Sequence, residues 1–132
     1  MVFGLSPLTS ATIIFTNSVI GKAYMTSVWR KDPDGCPGNP KFDNDRKAQL
    51  NEAEWAPLII SGLLCLHVKG ESGPTIAAGL VAAGQVWYFW TRVLLLLKNG
   101  TPTVLPGGVM RYVGSIMLSV QLVRSLTAAR LR

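Results

Sequence analysis

The apolar positions of the chain fall into four long runs separated by polar joints. Each run is about 20 residues long, which is the length that an α-helix needs to cross the hydrocarbon core of a membrane. A long joint rich in proline and glycine, residues 29–45, follows the first run. We therefore expect one domain over residues 1–132, an all-α bundle of four membrane-spanning helices. The predicted helices cover residues 8–28, 46–68, 75–97 and 109–129.

The charge distribution supports this prediction. Only 15% of the residues are charged, against about 25% in an average soluble domain. All seven acidic residues lie between Asp32 and Glu71, and residues 1–21 and 72–91 carry no charge. The net charge of +6 is then mostly charge that flanks membrane spans, so we expect membrane lipids and not nucleic acid as partners.

Two arginines near the ends of the fourth run fit the same scheme. Arg111 and Arg124 are 13 residues apart, or about 20 Å along a helix. We expect each side chain to reach its own membrane face, with its charged end in water.

The polar start of the second helix carries the candidate chemistry. Lys47, Asn51 and Glu54 follow each other at intervals of four and three residues, so they share one face of a helix. One interpretation is a solvated first turn, in which the acid complements the helix dipole. The other is a ligand site, because an amine, an amide and an acid are costly to bury without partners.

The residues Lys47, Ala48, Asn51, Glu54 and Pro57 form the string K-A-x-x-N-x-x-E-x-x-P. This string resembles the second-helix motif of the MAPEG family, the membrane-associated proteins of eicosanoid and glutathione metabolism. The order of four spans, the long first loop and the short second turn are also similar. Tyr88 falls where the family's third helix has a tyrosine, and Gly114-Ser115 in the fourth run is similar to the type-three microsomal glutathione S-transferases.

The resemblance implies a homotrimer of four-helix subunits with glutathione bound between neighbouring subunits. Lys47 would then hold a glutathione carboxylate, Asn51 would bind the peptide, and Glu54 would take the γ-glutamyl ammonium. Arg30 would add a second carboxylate contact, and Tyr88 would complete the glutathione site. No metal is expected, because the sequence has no cysteine and histidine spacing of a metal site.

The third helix departs from the family pattern and supplies the candidate catalytic residues. Gln85 stands where an arginine is usual, and Arg92 stands where a second tyrosine is common. Tyr88 and Arg92 share a helix face, so Arg92 would lower the pKa of a thiol bound nearby. Alternatively, Arg92 is a structural cation stacked on aromatic rings. Lys98 is the third candidate, since it lies nearest to the position of the arginine that the leukotriene-forming branch uses.

The function that the resemblance implies is a membrane-bound glutathione transferase or peroxidase acting on lipophilic electrophiles. Its expected location is the endoplasmic reticulum membrane, with a mitochondrial or plastid membrane as the alternative. The departures at Lys47, Gln85 and Arg92 motivate a second hypothesis, a non-catalytic MAPEG-like subunit of a larger membrane complex. A proton-coupled antiporter is a weaker third hypothesis, because Glu54 lies at the end of a span and not near its middle.

Overall fold

The chain folds into four α-helices and no strand over the residues that the computed structural model describes, which are 4–30, 36–97 and 100–130. An isolated bridge joins Leu5 to Thr75. The predicted all-α architecture of four helices is thus confirmed. In chain order the helices are α1 (Pro7–Trp29), α2 (Pro40–Val68), α3 (Ile76–Leu94) and α4 (Leu105–Arg130).

Short polar side chains and prolines set the starts of the helices. Ser6 caps α1 by accepting the backbone N–H of Thr9 at 3.1 Å, and Thr75 caps α3 in the same way through Ala78 at 3.1 Å. Asn39 caps α2 by accepting the backbone N–H of Lys41 at 2.9 Å. Because Pro40 then occupies the first helical position, where its missing N–H costs nothing, α2 begins six residues before the expected start.

Two other boundaries differ from the prediction. The helix α4 begins at Leu105, because Pro106 and the two glycines after it lie inside its first turns. The helix α3 ends at Leu94, three residues early, and Leu96 has a positive φ of 54°. Pro57 lies inside α2, and the helix continues unbroken through it.

The four helices share one apolar core that lies towards the α2–α3 turn. Its members are small or branched side chains from all four helices: Ala11, Ile14, Ala56, Ile59, Leu63, Leu66, Ala77, Ala78, Val81, Ala82 and Leu118. At the other end of the bundle, Ala48, Phe89 and Val93 form a smaller cluster with Tyr24 and Trp90 packed against it. Polar side chains lie between these two clusters, and they form the candidate site.

The outer surface carries many large apolar side chains. Leu58 is 69% exposed and Ile116 is 65% exposed, and similar residues point outward from every helix. Within the described ranges, however, none of the four helices combines the length with the sustained hydropathy that a membrane span requires. The membrane-spanning character of the four runs therefore stays a prediction.

Candidate functional site

A chain of buried polar side chains crosses the middle of the bundle. It begins at Glu52 on α2, which is only 6% exposed. One carboxylate oxygen of Glu52 accepts hydrogen bonds from the Asn17 amide at 3.0 Å and the Ser18 hydroxyl at 2.7 Å, both on α1. The other oxygen accepts the Gln85 amide of α3. Three donors thus surround this carboxylate, which is how a protein makes a buried charge tolerable.

Gln85 extends the chain to the fourth helix. Its side-chain oxygen accepts Nη1 of Arg111 at 3.4 Å, and the same nitrogen donates to the Asn51 oxygen at 2.6 Å. Gln85 therefore bridges an acid on α2 and a cation on α4.

Tyr88 contacts two arginines. Arg92 Nη1 donates to the Tyr88 hydroxyl at 3.3 Å, one helical turn away. The Arg111 guanidinium lies 4.3 Å from the centroid of the Tyr88 ring and 4.5 Å from that of Trp55. Arg92 is 6% exposed and Arg111 is 2% exposed, so both cations are buried against aromatic rings.

Neither guanidinium forms a direct ion pair within the part of the chain that the structure describes, although the Glu52 carboxylate acts on Arg111 across Gln85. The ion pair found there joins Lys41 to Asp45 at 2.9 Å, and it involves neither arginine. The Nε atoms of Arg92 and Arg111 are buried and make no hydrogen bond to a described residue. Arg92 Nη2 donates to the Asn44 side-chain oxygen at 3.2 Å. Since neither buried guanidinium is in direct contact with a described anion, an anionic atom of a ligand would be stabilised here.

The predicted glutathione residues are only partly brought together. Asn51 is half-buried and joins Tyr88 through Arg111. Lys47 and Glu54 are exposed on α2, and their exposure fits both interpretations that the sequence left open, a solvated helix face and a face open to a ligand. Arg30 lines a separate pocket of about 300 Å³ between α1 and α2.

The structure brings two of the three expected catalytic residues into contact. Tyr88 and Arg92 are in direct contact, as their spacing predicted. Arg92 is also a cation against an aromatic ring, 5.6 Å from the Tyr88 centroid, so its catalytic and structural roles stay open. Lys98 lies outside the described residues.

Two charged residues of the network were not predicted as site residues. Arg111 was expected at a membrane face, but it is buried because Asn51, Gln85 and three aromatic rings surround it. Glu52 lies near the middle of α2 because that helix begins at Pro40. Glu54 also lies near the middle of this helix, but the argument against an antiporter concerns the predicted span over residues 46–68, which stays a prediction. The oxygens of Glu52 are nevertheless both occupied by hydrogen bonds.

A second polar cluster fixes the start of α2 against the end of α1. The buried Asp45 accepts hydrogen bonds from the Trp29 indole at 3.1 Å and from the Lys41 ammonium at 2.9 Å. Burial lowers the pKa of Lys41, but its hydrogen bonds to Asp45 and Tyr24 outweigh that effect, and the pKa is raised overall. Lys41 therefore stays charged at neutral pH, and the cluster serves to hold the two helices together.

Comparisons of the chain with protein-family models, with curated proteins and with solved structures find no match. The functional assignment therefore depends on the chemistry of the site and on the sequence motif of α2.

Proposed function

We propose that this protein is a membrane-bound glutathione transferase or peroxidase of the MAPEG type, which works as a homotrimer on lipophilic electrophiles. One observation carries the proposal. Arg92 and Arg111 are both buried against Tyr88, and neither forms a direct ion pair with a described carboxylate. A thiolate is the kind of anion that this pair of cations would stabilise.

The proposed chemistry follows from the pKa of the thiol. A free thiol titrates near pH 8.5, and nearby cations lower that pKa, so more of the bound thiol is the nucleophilic thiolate. Because the Tyr88 oxygen already accepts Arg92, the hydroxyl hydrogen of Tyr88 is left for donation to the sulfur. In the transferase reaction, the sulfur forms a bond to an electrophilic carbon, the bond from that carbon to its leaving oxygen breaks, and the oxygen takes a proton. In the peroxidase reaction, two glutathione thiols become a disulfide while a hydroperoxide becomes an alcohol and water.

The residue types on α2 suit the rest of the glutathione molecule, which has two carboxylates and one ammonium. Glu54 would bind the ammonium, Lys47 one carboxylate and Asn51 the peptide. Arg30, in the α1–α2 pocket, would add a second carboxylate contact. Lysine binds a carboxylate as a point charge without the fork of arginine, so we expect modest affinity.

The distribution of polarity supports a membrane location, with the endoplasmic reticulum as the proposed one. The polar side chains that interrupt the apolar runs, such as Asn17, Glu52 and Gln85, are turned inward, where they bind each other. The apolar residues Leu58 and Ile116 point outward. Exposed apolar surface on this scale is typical of surfaces that contact lipid or other subunits.

Glutathione binding to the full-length protein, purified in a mild detergent, tests the proposal. Calorimetry should give binding in the millimolar range or tighter. Asn51→Ala and Glu54→Gln should each weaken binding by about tenfold, because each removes a hydrogen bond or a charge contact to the ligand. Glu71→Gln, which changes an exposed acid in the α2–α3 turn, should leave binding unchanged. If the unaltered protein binds no glutathione at millimolar ligand, the proposal is wrong.

The thiolate absorbance of bound glutathione, followed against pH, tests the role of Arg92. Arg92→Met keeps the length of the side chain and removes its charge, so the titration should move to higher pH. A titration that does not move would assign Arg92 to the structural role. Binding without any turnover would favour the non-catalytic subunit instead.

A further inference from the structure

A long groove runs between α1 and α2, on a face that the proposed thiol chemistry does not use. Its volume is about 1190 Å³. Over most of its length the lining is apolar and comes from both helices: Phe15, Val19, Leu50, Ala53, Ala56, Pro57 and Ile60. The two alanines leave the groove open where larger side chains would close it.

One end of the groove is basic. Lys22 and Thr26 of α1 and Arg46 and Gln49 of α2 line it there. Lys22 and Arg46 are exposed, and neither forms an ion pair with a described residue. The groove thus presents two unpaired cations and hydrogen-bonding groups at one end and hydrocarbon at the other.

The register of α1 and α2 determines which end of the groove is basic and which is apolar. They run antiparallel, with Trp29 bonded to Asp45 and Ser18 bonded to Glu52. The basic end therefore lies near the end of α1, while Phe15 and Ile60 lie further along. Arg46 and Ile60 are 14 residues apart, or about 21 Å along α2, which is enough for a long acyl chain.

The groove lining also contains an acid, Glu52, whose carboxylate is already bound by other side chains. Glu52 contributes to the lining at the floor, but both its oxygens accept hydrogen bonds from Asn17, Ser18 and Gln85. It also lies nearly two helical turns beyond Arg46.

We infer that this groove binds one acyl chain of an anionic phospholipid, with the phosphate held between Lys22 and Arg46. Two cations on facing helices suit a phosphate monoester, which carries up to two charges, better than a carboxylate, which carries one. The site goes beyond the proposed function, and Lys22 and Arg46 are not among the residues assigned to glutathione. It adjoins the Arg30 pocket, since Lys22, Thr26 and Gln49 line both.

Calorimetry on the full-length protein in nonionic detergent tests the inference, with dioctanoyl phosphatidic acid as the probe. Dioctanoyl phosphatidylcholine has the same chains without net charge, and palmitate has a long chain with a carboxylate. We expect phosphatidic acid to bind at least about tenfold tighter than either, since its phosphate makes charge-assisted hydrogen bonds to both cations. Equal binding of the three amphiphiles, or no binding of phosphatidic acid, would overturn the inference.

Substitutions at the basic end separate the charge effect from a change in fold. Lys22→Ala and Arg46→Ala should each weaken phosphatidic acid binding by about tenfold. Lys22→Arg and Arg46→Lys should retain most of it, because they keep the charge. Arg124→Ala removes an exposed cation from α4 and should have no effect. An equal loss in Arg124→Ala would show that the attraction is non-specific, which contradicts the site.

Filling the groove tests the acyl-chain part of the site. Ala53 is exposed in the groove lining, so Ala53→Trp should abolish binding by occupying the space of the chain. Ala83→Trp is the matched control, since Ala83 is also exposed but lies on α3. Unchanged binding in Ala53→Trp, with thermal unfolding as in the parent, would contradict the groove as the site.

Glutathione binding is measured on the same variants. If Lys22→Ala and Arg46→Ala keep glutathione binding while phosphatidic acid fails to bind any form, only the lipid inference fails. If phosphatidic acid binds as expected and glutathione does not bind, only the proposed function fails.

Discussion

At the scale of single residues, two glutamates on α2 have opposite environments. Glu52 is buried with three hydrogen-bond donors, and Glu54 is exposed. A step of two residues turns an α-helix by about 200°, so positions 52 and 54 face nearly opposite sides of α2. The buried glutamate is thus a structural acid that joins helices, and the exposed one is free for a ligand.

We expect Glu52→Ala to lower the free energy of unfolding by about 3 kcal/mol or more. It leaves the Asn17 and Gln85 amides and the Ser18 hydroxyl buried without an acceptor. Glu54→Ala is the control, and its effect should stay within about 0.5 kcal/mol, as for most surface substitutions. Denaturant unfolding of the two variants measures the difference, and equal stability losses would contradict the network described above.

Part of the site could be predicted from these residues and part could not. The i, i+4 contact of Tyr88 with Arg92 follows from helix geometry alone, so the sequence is enough to predict it. The contact of Arg111 with Asn51 joins positions 60 residues apart. It depends on how each helix is rotated, and apolar residues on all sides of α2 and α4 do not define which face turns inward.

At the scale of elements, glycines allow α3 and α4 to approach closely. A Cβ at Gly84 would lie 2.5 Å from the Arg111 backbone nitrogen and 2.8 Å from the Gly107 oxygen. A Cβ at Gly107 would lie 2.7 Å from the Tyr88 nitrogen. All three distances are shorter than a real Cβ atom can approach, so the close contact requires glycine at both positions. This contact also helps to place Arg111 over Tyr88.

Gly84→Ala should therefore destabilise the protein by about 2 kcal/mol, although alanine is the better helix former by about 1 kcal/mol. The new methyl group would meet backbone atoms, which cannot rotate away as a side chain would. Gly73→Ala, where a Cβ would meet nothing within 4 Å, should change stability little. Thermal unfolding of both variants is the measurement, and a stabilised Gly84→Ala would show that α4 moves freely against α3.

Helix number and order could be predicted from the four apolar runs, but two helix starts could not. Pro40 and Pro106 were assigned to loops, and both lie in the first turn of a helix. Proline is compatible with either place, because the first N–H groups of a helix have no partner within it. Only the local geometry, such as the Asn39 cap, decides between them.

At the scale of the whole molecule, a buried polar network lies within the bundle and many large apolar side chains are exposed on its surface. This arrangement predicts that the full-length protein sediments with membranes and stays there in alkaline carbonate, which strips proteins held only by charge. Chemical cross-linking in the membrane should give species up to a trimer. Release by carbonate would contradict the proposed membrane location, and a monomer throughout would contradict the homotrimer.

Glu52 belongs to two parts of the molecule at once. It forms part of the floor of the α1–α2 groove, and it is also the first member of the chain through Gln85 to Arg111 and Asn51. An occupant of the groove and an occupant of the thiol site would thus act on one connected set of hydrogen bonds. Any coupling between them must be reciprocal: the factor by which lipid changes the affinity for glutathione is the factor by which glutathione changes the affinity for lipid.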